Sequence, residues 1–331
     1  MGMIKKTEQH KNPGVHRREF LKKSTLAGSA LIIAPLTIAN EGIYSTQPTK
    51  YELDVFIFSK HLQFLNYQDM CEAAAEMGFD GLDLTVRPKG HVLPERVSED
   101  LPRAVEAMRA MSFSPTLMTT NITNADKTVN IEVLKAASTN GFTHYRTGWL
   151  DYPENRSIPE SIEVYAEQFR KLESVNKELS LIGCYQNHSG NHVGAPIWDL
   201  PHLLSKTNNT HLGCQYDIRH AVVEGGRSWE LGLRNIASHI KTIAIKDFKW
   251  GIVNGKRKPI NTPLGKGMVD FKRYFSLLRK YGVQVPVSLH FEYGLGGAEH
   301  GNSEITIEPK KVFEQMKNDL SFLRNTWKEV Q

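Results

Sequence analysis

Short apolar runs alternate with amphipathic stretches along the chain from residue 51 onward. Eight of the runs have the length of strands: 53–58, 81–86, 114–119, 142–147, 181–187, 212–217, 241–247 and 286–292. Between them apolar residues recur at helical spacing, as in Tyr67–Met77, Leu101–Met111, Asn130–Asn140 and Ile158–Glu178. Gly78, Gly141 and Gly282 each stand just before a strand candidate, where a helix closes on a left-handed residue. Strand then helix, repeated eight times, predicts an α/β fold closed as a (β/α)8 TIM barrel. The rival fold, an open doubly wound sheet, wants a glycine-rich turn after its first strand, and Phe56–Leu65 has none. The long interval before the last strand predicts an excursion, Trp250–Asp270, over the barrel mouth.

Side chains of a barrel strand alternate between the interior and the surrounding helices. Leu82, Leu84 and Val86 face the helices, which turns Asp83, Thr85 and Arg87 inward. The same rule sets Cys184, Gln186 and His188 on one face, and Gln215 and Asp217 on the inner face of the next strand. Ala244 and Lys246 follow inward, as do Ser288, His290 and Glu292, while Val287, Leu289 and Phe291 point out. Polar residues therefore gather inside, at the C-terminal strand ends where barrel enzymes place their active sites. Packing alone does not account for them, because an unpaired buried polar group costs about 1–3 kcal/mol.

At 331 residues, with 40% hydrophobic and 23% charged residues, the chain has the makeup of one globular barrel. Its net charge of +5 suggests a nucleic-acid partner, but the location of the charge removes that reading. Residues 1–39 hold seven of the basic and two of the acidic residues, so the remainder carries 34 of each. A neutral body offers no general attraction for a polyanion, and no nucleic-acid partner is expected. Residues 1–39 read as a twin-arginine-type signal peptide. Arg17-Arg18-Glu19-Phe20-Leu21-Lys22 precedes an apolar run from Leu26 to Ala39 that is too short to span a bilayer. Export to the periplasm is the expectation, with 40–50 a linker, 51–331 a single barrel domain and no membrane anchor after cleavage. Cys71, Cys184 and Cys214 are expected as buried free thiols, the second inside the barrel and the third outside it.

Three segments carry the candidate chemistry: Cys184-Tyr185-Gln186-Asn187-His188-Ser189-Gly190, Gln215-Tyr216-Asp217-Ile218-Arg219-His220 and Ser288-Leu289-His290-Phe291-Glu292-Tyr293. Their oxygen and imidazole donors suit one hard or borderline divalent ion such as Mn, Mg, Co or Zn. Ala75-Glu76-Met77-Gly78-Phe79-Asp80-Gly81 enters the second strand, and Asp217-x-x-His220 ends the sixth. Ile245-Lys246-Asp247 ends the seventh, and Pro263-Leu264-Gly265-Lys266-Gly267-x-Val269-Asp270-Phe271 follows it. In this order, over residues 52 to 323, the set resembles the xylose isomerase-like superfamily of sugar isomerases, epimerases and apurinic-site endonucleases.

The resemblance implies one metal held by a Glu, an Asp, a His and a second Glu on barrel strands. Gln186 stands at the first Glu, Asp217 matches the Asp, Ala244 stands at the His, and the last Glu falls on His290 or Glu292. The ligands so implied are Gln186, Asp217, His290 and Glu292, with His188 as a substitute. Gln186 cannot take a proton, so epimerisation by two symmetrical glutamates is not expected. That leaves His188, Lys246 and Glu292 as acid–base candidates. A metal that polarises a carbonyl beside one such base suits proton abstraction next to that carbonyl. Arg87, His91, Arg146, His220 and Trp250 are candidates for binding hydroxyls or stacking on a sugar ring.

The leading expectation is a metal-dependent sugar isomerase or epimerase acting on a free sugar or glycoside. A lyase or hydrolase of keto-sugar glycosides is the nearest variant, and a non-catalytic carbohydrate-binding protein stands further off. An apurinic-site endonuclease is least expected, because it wants a richer His set and a basic face. The expected partner is a small carbohydrate, and the sequence leaves a homo-oligomer open.

Overall fold

Eight parallel strands close on themselves in a computed structural model that describes residues 52–331. The expected signal segment and linker lie outside the described residues. The barrel strands are β1 (Val55–Phe58), β2 (Gly81–Thr85), β3 (Leu117–Thr119), β4 (His144–Arg146), β5 (Ile182–Gln186), β6 (Leu212–Asp217) and β7 (Ile240–Ile245). A hairpin of β8 (Asp247–Val253) and β9 (Lys256–Thr262) precedes the last barrel strand, β10 (Val287–Leu289). Around the barrel the order is β1-β10-β7-β6-β5-β4-β3-β2, so each strand pairs with its sequence neighbour in the barrel and the circle closes between β1 and β10.

Most strands are shorter than the apolar runs that foretold them, and in two of them proline sets the start. Pro115 and Pro286 have no N–H for the ladder, so β3 and β10 start just after them, at Leu117 and Val287. His290 and Glu292 consequently lie just past the end of β10, where His290 N still donates to Ile245 O at 3.0 Å.

The alternation assigns the faces as expected. Leu82, Leu84, Val86, Tyr185, Cys214, Tyr216, Ile243, Ile245, Val287 and Leu289 pack in the apolar layer between sheet and helices. Inside, the Asp83 carboxylate accepts from Thr119 Oγ1 at 2.9 Å and from Ser288 Oγ at 2.6 Å, tying three strands together across the interior. The three cysteines are buried and free. Local signals set the helix ends: Asn66, Ser157 and Asp270 cap helix N-termini with their side chains, and Gly78 and Gly141 close helices at φ 90° and 94°.

The excursion before the last strand is the β8–β9 hairpin, turned at Asn254-Gly255 with φ of 52° and 73°. Both positive values are what a tight hairpin turn demands, and Asn-Gly supplies them at low cost. At its base Asp247, a buried carboxylate, accepts backbone N–H bonds from Phe248, Gly265, Gly267 and Val269. A Cβ on Gly267 would stand 2.2 Å from Asp247 Oδ1 and 2.4 Å from Phe248 O. Gly267→Ala is therefore expected to lower stability by about 1–3 kcal/mol, the usual cost of overpacking, read from urea unfolding. A loss below about 0.5 kcal/mol, the scale of an ordinary surface change, would show that this loop yields freely.

Candidate active site

A cavity of about 50 Å³ opens at the C-terminal mouth of the barrel. Seven residues expected from the sequence line it: Arg87, Arg146, Gln186, His188, Lys246, His290 and Glu292. They come from five different strand ends, and the alternation of side chains along each strand brings them together. Phe58, Lys60 and Trp149 also line it and were not foreseen. The parity rule, applied to the first strand, reaches the first two: Phe56 and Phe58 stand outside the apolar outer layer, and Lys60 shares their parity. For Trp149, on the loop after β4, the sequence offers no such signal.

At the floor an ammonium sits between two carboxylates. Lys246 Nζ is 3.2 Å from Asp217 Oδ2 and 3.2 Å from Glu292 Oε1, and its side chain is 3% exposed. Asp217 also accepts from Gln186 Nε2 at 2.8 Å and, as cap of the helix Ile218–Gly225, from His220 N at 3.1 Å. Gln186 Oε1 accepts from Arg146 Nη1 at 3.1 Å. The amide orientation follows from chemistry, because a guanidinium only donates and a carboxylate only accepts. His290 Nε2 lies 3.1 Å from Ser288 Oγ, and its ring stacks on Phe58 with centroids 4.3 Å apart.

Three expected substrate contacts stand away from the cavity lining. His91 is held by Thr85 Oγ1 and by Leu62 O, and it borders a separate surface groove with Tyr67 and Arg103. His220 is buried behind His188, their rings 4.0 Å apart. Its Nδ1 meets Ser189 Oγ and Arg219 Nη1, so it supports the wall instead of facing a ligand. Trp250 is 46% exposed on the hairpin, edge-on to Phe248. The hairpin does reach the mouth, but through Asn261, which donates to Glu292 O at 3.2 Å and accepts from Arg219 Nε at 3.1 Å.

The implied metal ligands Gln186, Asp217, His290 and Glu292 meet at one mouth, yet the donor set does not fit a divalent ion. The Gln186 oxygen is committed to Arg146, its amide nitrogen faces Asp217, and Ala244 stands where the resemblance wants a histidine. Among the described residues no three His, Cys, Asp or Glu side chains are disposed to hold an ion. The space between the carboxylates belongs to Lys246. Two unit charges 4 Å apart repel by about 4 kcal/mol at an effective dielectric constant of 20, and a divalent ion beside the ammonium would double that. The positive charge that a metal brings is supplied by the chain itself.

Burial opposes ionisation of Glu292, but Lys246, His290 and Lys60 together outweigh it and hold this carboxyl well below the usual carboxylate range. Asp217 is pushed up by its burial, against the pull of Lys246. Burial first, and Arg87 next, press Arg146 down to about 9, still charged at neutral pH. Burial lowers His188 and His290 to about 3, and His91 and His144 to about 4. All four are neutral at pH 7, and His188 can take up or pass on a proton.

These histidines make folding sensitive to acid. An unfolded histidine binds a proton near pH 6.5, whereas these four stay neutral in the fold down to pH 4 or 3. Between those limits the unfolded state holds more protons, so stability falls as pH drops. Asp319, raised by burial to about 7, works the other way, as do the raised Asp54, Asp83, Asp217 and Asp247, but His61 and His220, held well below the usual histidine range by burial, join the four. The melting temperature is expected to decline steadily from pH 6.5 to pH 4. A flat profile in differential scanning calorimetry would contradict the buried, neutral state of these rings.

None of the curated proteins matches the chain significantly in sequence. Solved structures do match in fold. The 3-keto-D-glucoside 4-epimerase of E. coli is similar with a TM-score of 0.60 and 14% identity, over 83% of this chain and 100% of that one. D-psicose 3-epimerase from Clostridium cellulolyticum H10, solved with D-tagatose, gives 0.62 and 12%, over 84% and 99%. A xylose isomerase-like TIM barrel protein from Mycobacterium smegmatis, in complex with magnesium, gives 0.59 and 13%, over 83% and 98%. A family model described as xylose isomerase-like TIM barrel matches residues 71–315. With the closed barrel and that match over most of its length, the chain belongs to the xylose isomerase-like TIM barrel family.

Proposed function

We propose that the chain is an isomerase or epimerase-type enzyme that acts on a free sugar or glycoside by moving a proton at a carbon beside a carbonyl. The observation that carries this reading is the Lys246 ammonium held 3.2 Å from both Asp217 and Glu292 at the cavity floor. An ammonium fixed in a desolvated site stabilises the oxyanion that forms when the neighbouring carbon loses its proton. Glu292, ionised and a quarter exposed, is the group placed to receive that proton. Lys246 keeps Glu292 weakly basic at rest. As the substrate oxygen takes a share of the ammonium's hydrogen bonding, that hold loosens and the carboxylate becomes the better base. The Glu292 carboxyl then returns the proton to carbon, and His188, neutral on the facing wall with Nδ1 2.9 Å from Ser189 O, leaves its other ring nitrogen to accept from a substrate hydroxyl. The structural neighbours that are sugar epimerases support the substrate class.

Gln186 favours a second reading. With no second carboxylate in that place, β-elimination needs only the groups at the floor: Glu292 takes the proton beside the carbonyl, the C–O bond to the aglycone breaks, and the Glu292 carboxyl hands that proton to the leaving oxygen. Incubation with free sugars and oxidised glycosides in deuterated water, followed by NMR, separates the two. Deuterium in a recovered sugar supports isomerisation, release of the aglycone supports elimination, and the absence of both overturns the enzyme reading. Metal dependence is tested in the same assay. The Lys246 centre predicts exchange unaffected by EDTA, and loss restored by added Mn or Mg would return the ion to the site.

Export belongs to the same proposal, carried by Arg17-Arg18 and the apolar run after them. Replacing both arginines with lysine is expected to leave the precursor in the cytoplasm, because the paired guanidinium groups are what the export receptor reads. An unchanged periplasmic yield on fractionation would remove that element.

A further inference from the structure

The cavity holds more positive charge than its own carboxylates answer. Arg146 is 4% exposed, and its Nη1 donates to Gln186 Oε1, while Nε and Nη2 find no partner among the described residues. Arg87 Nε is buried in the same condition. Buried N–H groups without a protein acceptor are uncommon, and in a cleft they call for an acceptor from water or from a bound ligand. Trp149 at 4.6 Å and Phe58 at 5.9 Å pack against the Arg146 guanidinium, so its direction is fixed before anything binds.

The charge balance points the same way. Lys60, Arg87, Arg146 and Lys246 line the cavity against one lining carboxylate, Glu292. Glu292 and the buried Asp217 are both engaged by Lys246, and Asp83, held by the hydroxyls of Thr119 and Ser288, is the one other buried carboxylate acting on Arg87 and Arg146, so four cations face three carboxylates. A neutral hydroxyl could accept from one unpaired N–H, but it would leave the excess charge uncompensated. An anion answers both demands, and a planar or tetrahedral oxyanion accepts from guanidinium groups with two oxygens at once.

Building on the proton-transfer reading, we infer that the wall formed by Lys60, Arg87 and Arg146 binds a carboxylate or phosphate of the substrate. The sugar acted on is then a sugar acid or a sugar phosphate, with its anionic group seated beside the reacting centre.

Calorimetric titration of the full chain with D-glucuronate, D-glucose 6-phosphate and D-glucose, at equal ionic strength, tests this. One of the two anions is expected to bind at least tenfold more tightly than glucose, and which one it is identifies the oxyanion. Arg146→Met should abolish the preference but also frees Gln186, so the partly exposed Arg87→Met and Lys60→Met carry the test. Each should weaken the preferred anion by about tenfold, with glucose binding and melting temperature unchanged. Equal binding of all three sugars, no binding of any, or a preference that survives both substitutions overturns the inference. The deuterium assay keeps the two readings apart. Anion binding without exchange removes the isomerase and leaves the anion site, whereas exchange on glucose with no anion preference does the reverse.

Discussion

Lys246→Met is expected to abolish measurable proton exchange and to destabilise the barrel at the same time. Methionine nearly matches the lysine stem in volume, so the cavity wall keeps its packing while the charge disappears. What remains is the fully buried Asp217 and the partly buried Glu292, facing each other with no cation between them. Removing one partner of a buried pair costs about 3–5 kcal/mol, because the other charge is left uncompensated. Both carboxyls would then titrate upward, and Glu292 would lose the ionised state in which it can accept a proton. Loss of the fixed positive charge at the developing oxyanion removes a further factor of about 10²–10³ in turnover. Urea unfolding and NMR exchange read the two effects separately. Lys246→Arg, which keeps the charge, should recover much of the stability but little of the rate, because the longer planar group cannot hold the same two oxygens. A methionine variant with full stability would show that Lys246 does not carry the electrostatics of this floor.

Most of the barrel was legible because period-two alternation and helix caps are local signals. The inward face of β2, β5, β6, β7 and β10 followed from apolar parity alone, and it delivered Gln186, Asp217, Lys246, His290 and Glu292 to one place. Local signals also misled where backbone chemistry intervened. Pro115 and Pro286 cut strands that the apolar runs extended. Apolar spacing placed a helix at Leu101–Met111, yet the helix begins a turn earlier, at Val97, and carries Pro102 inside it. The hydrogen bond it forfeits lies in the opening turns, where the disruption is mildest. Asn254-Gly255 announced a hairpin that had been read only as an excursion. What the sequence could not show was pairing. Gln186 and Ala244 announced that the expected ion site was altered, but only three dimensions show Lys246 standing between Asp217 and Glu292. His91 and His220 carry the same residue type as His188, and nothing local says that two of the three turn away from the cavity.

Asp217→Asn is expected to be nearly as damaging as Asp217→Ala, which separates a structural anchor from a simple ligand. One carboxylate oxygen caps the helix Ile218–Gly225 through His220 N, and the other accepts from Gln186 and Lys246. All three partners are donors. An asparagine offers one acceptor oxygen and one amide nitrogen, so in either orientation its NH₂ meets a donor in a site with 0% exposure. Keeping the cap, worth about 1 kcal/mol, would point that nitrogen at the Lys246 ammonium. Keeping the Lys246 contact would point it at the helix. The expected loss is about 3–5 kcal/mol for either variant, the range for breaking a buried charged pair, with proton exchange lost alongside. Glu292→Gln makes the contrast, because a partly exposed side chain can turn its new donor toward the cavity. It should lose exchange by about 10² or more while remaining far closer to the parent in urea. If Asp217→Asn unfolded within about 1 kcal/mol of the parent, the smallest difference that would matter on this scale, the carboxylate would not be the anchor of the site.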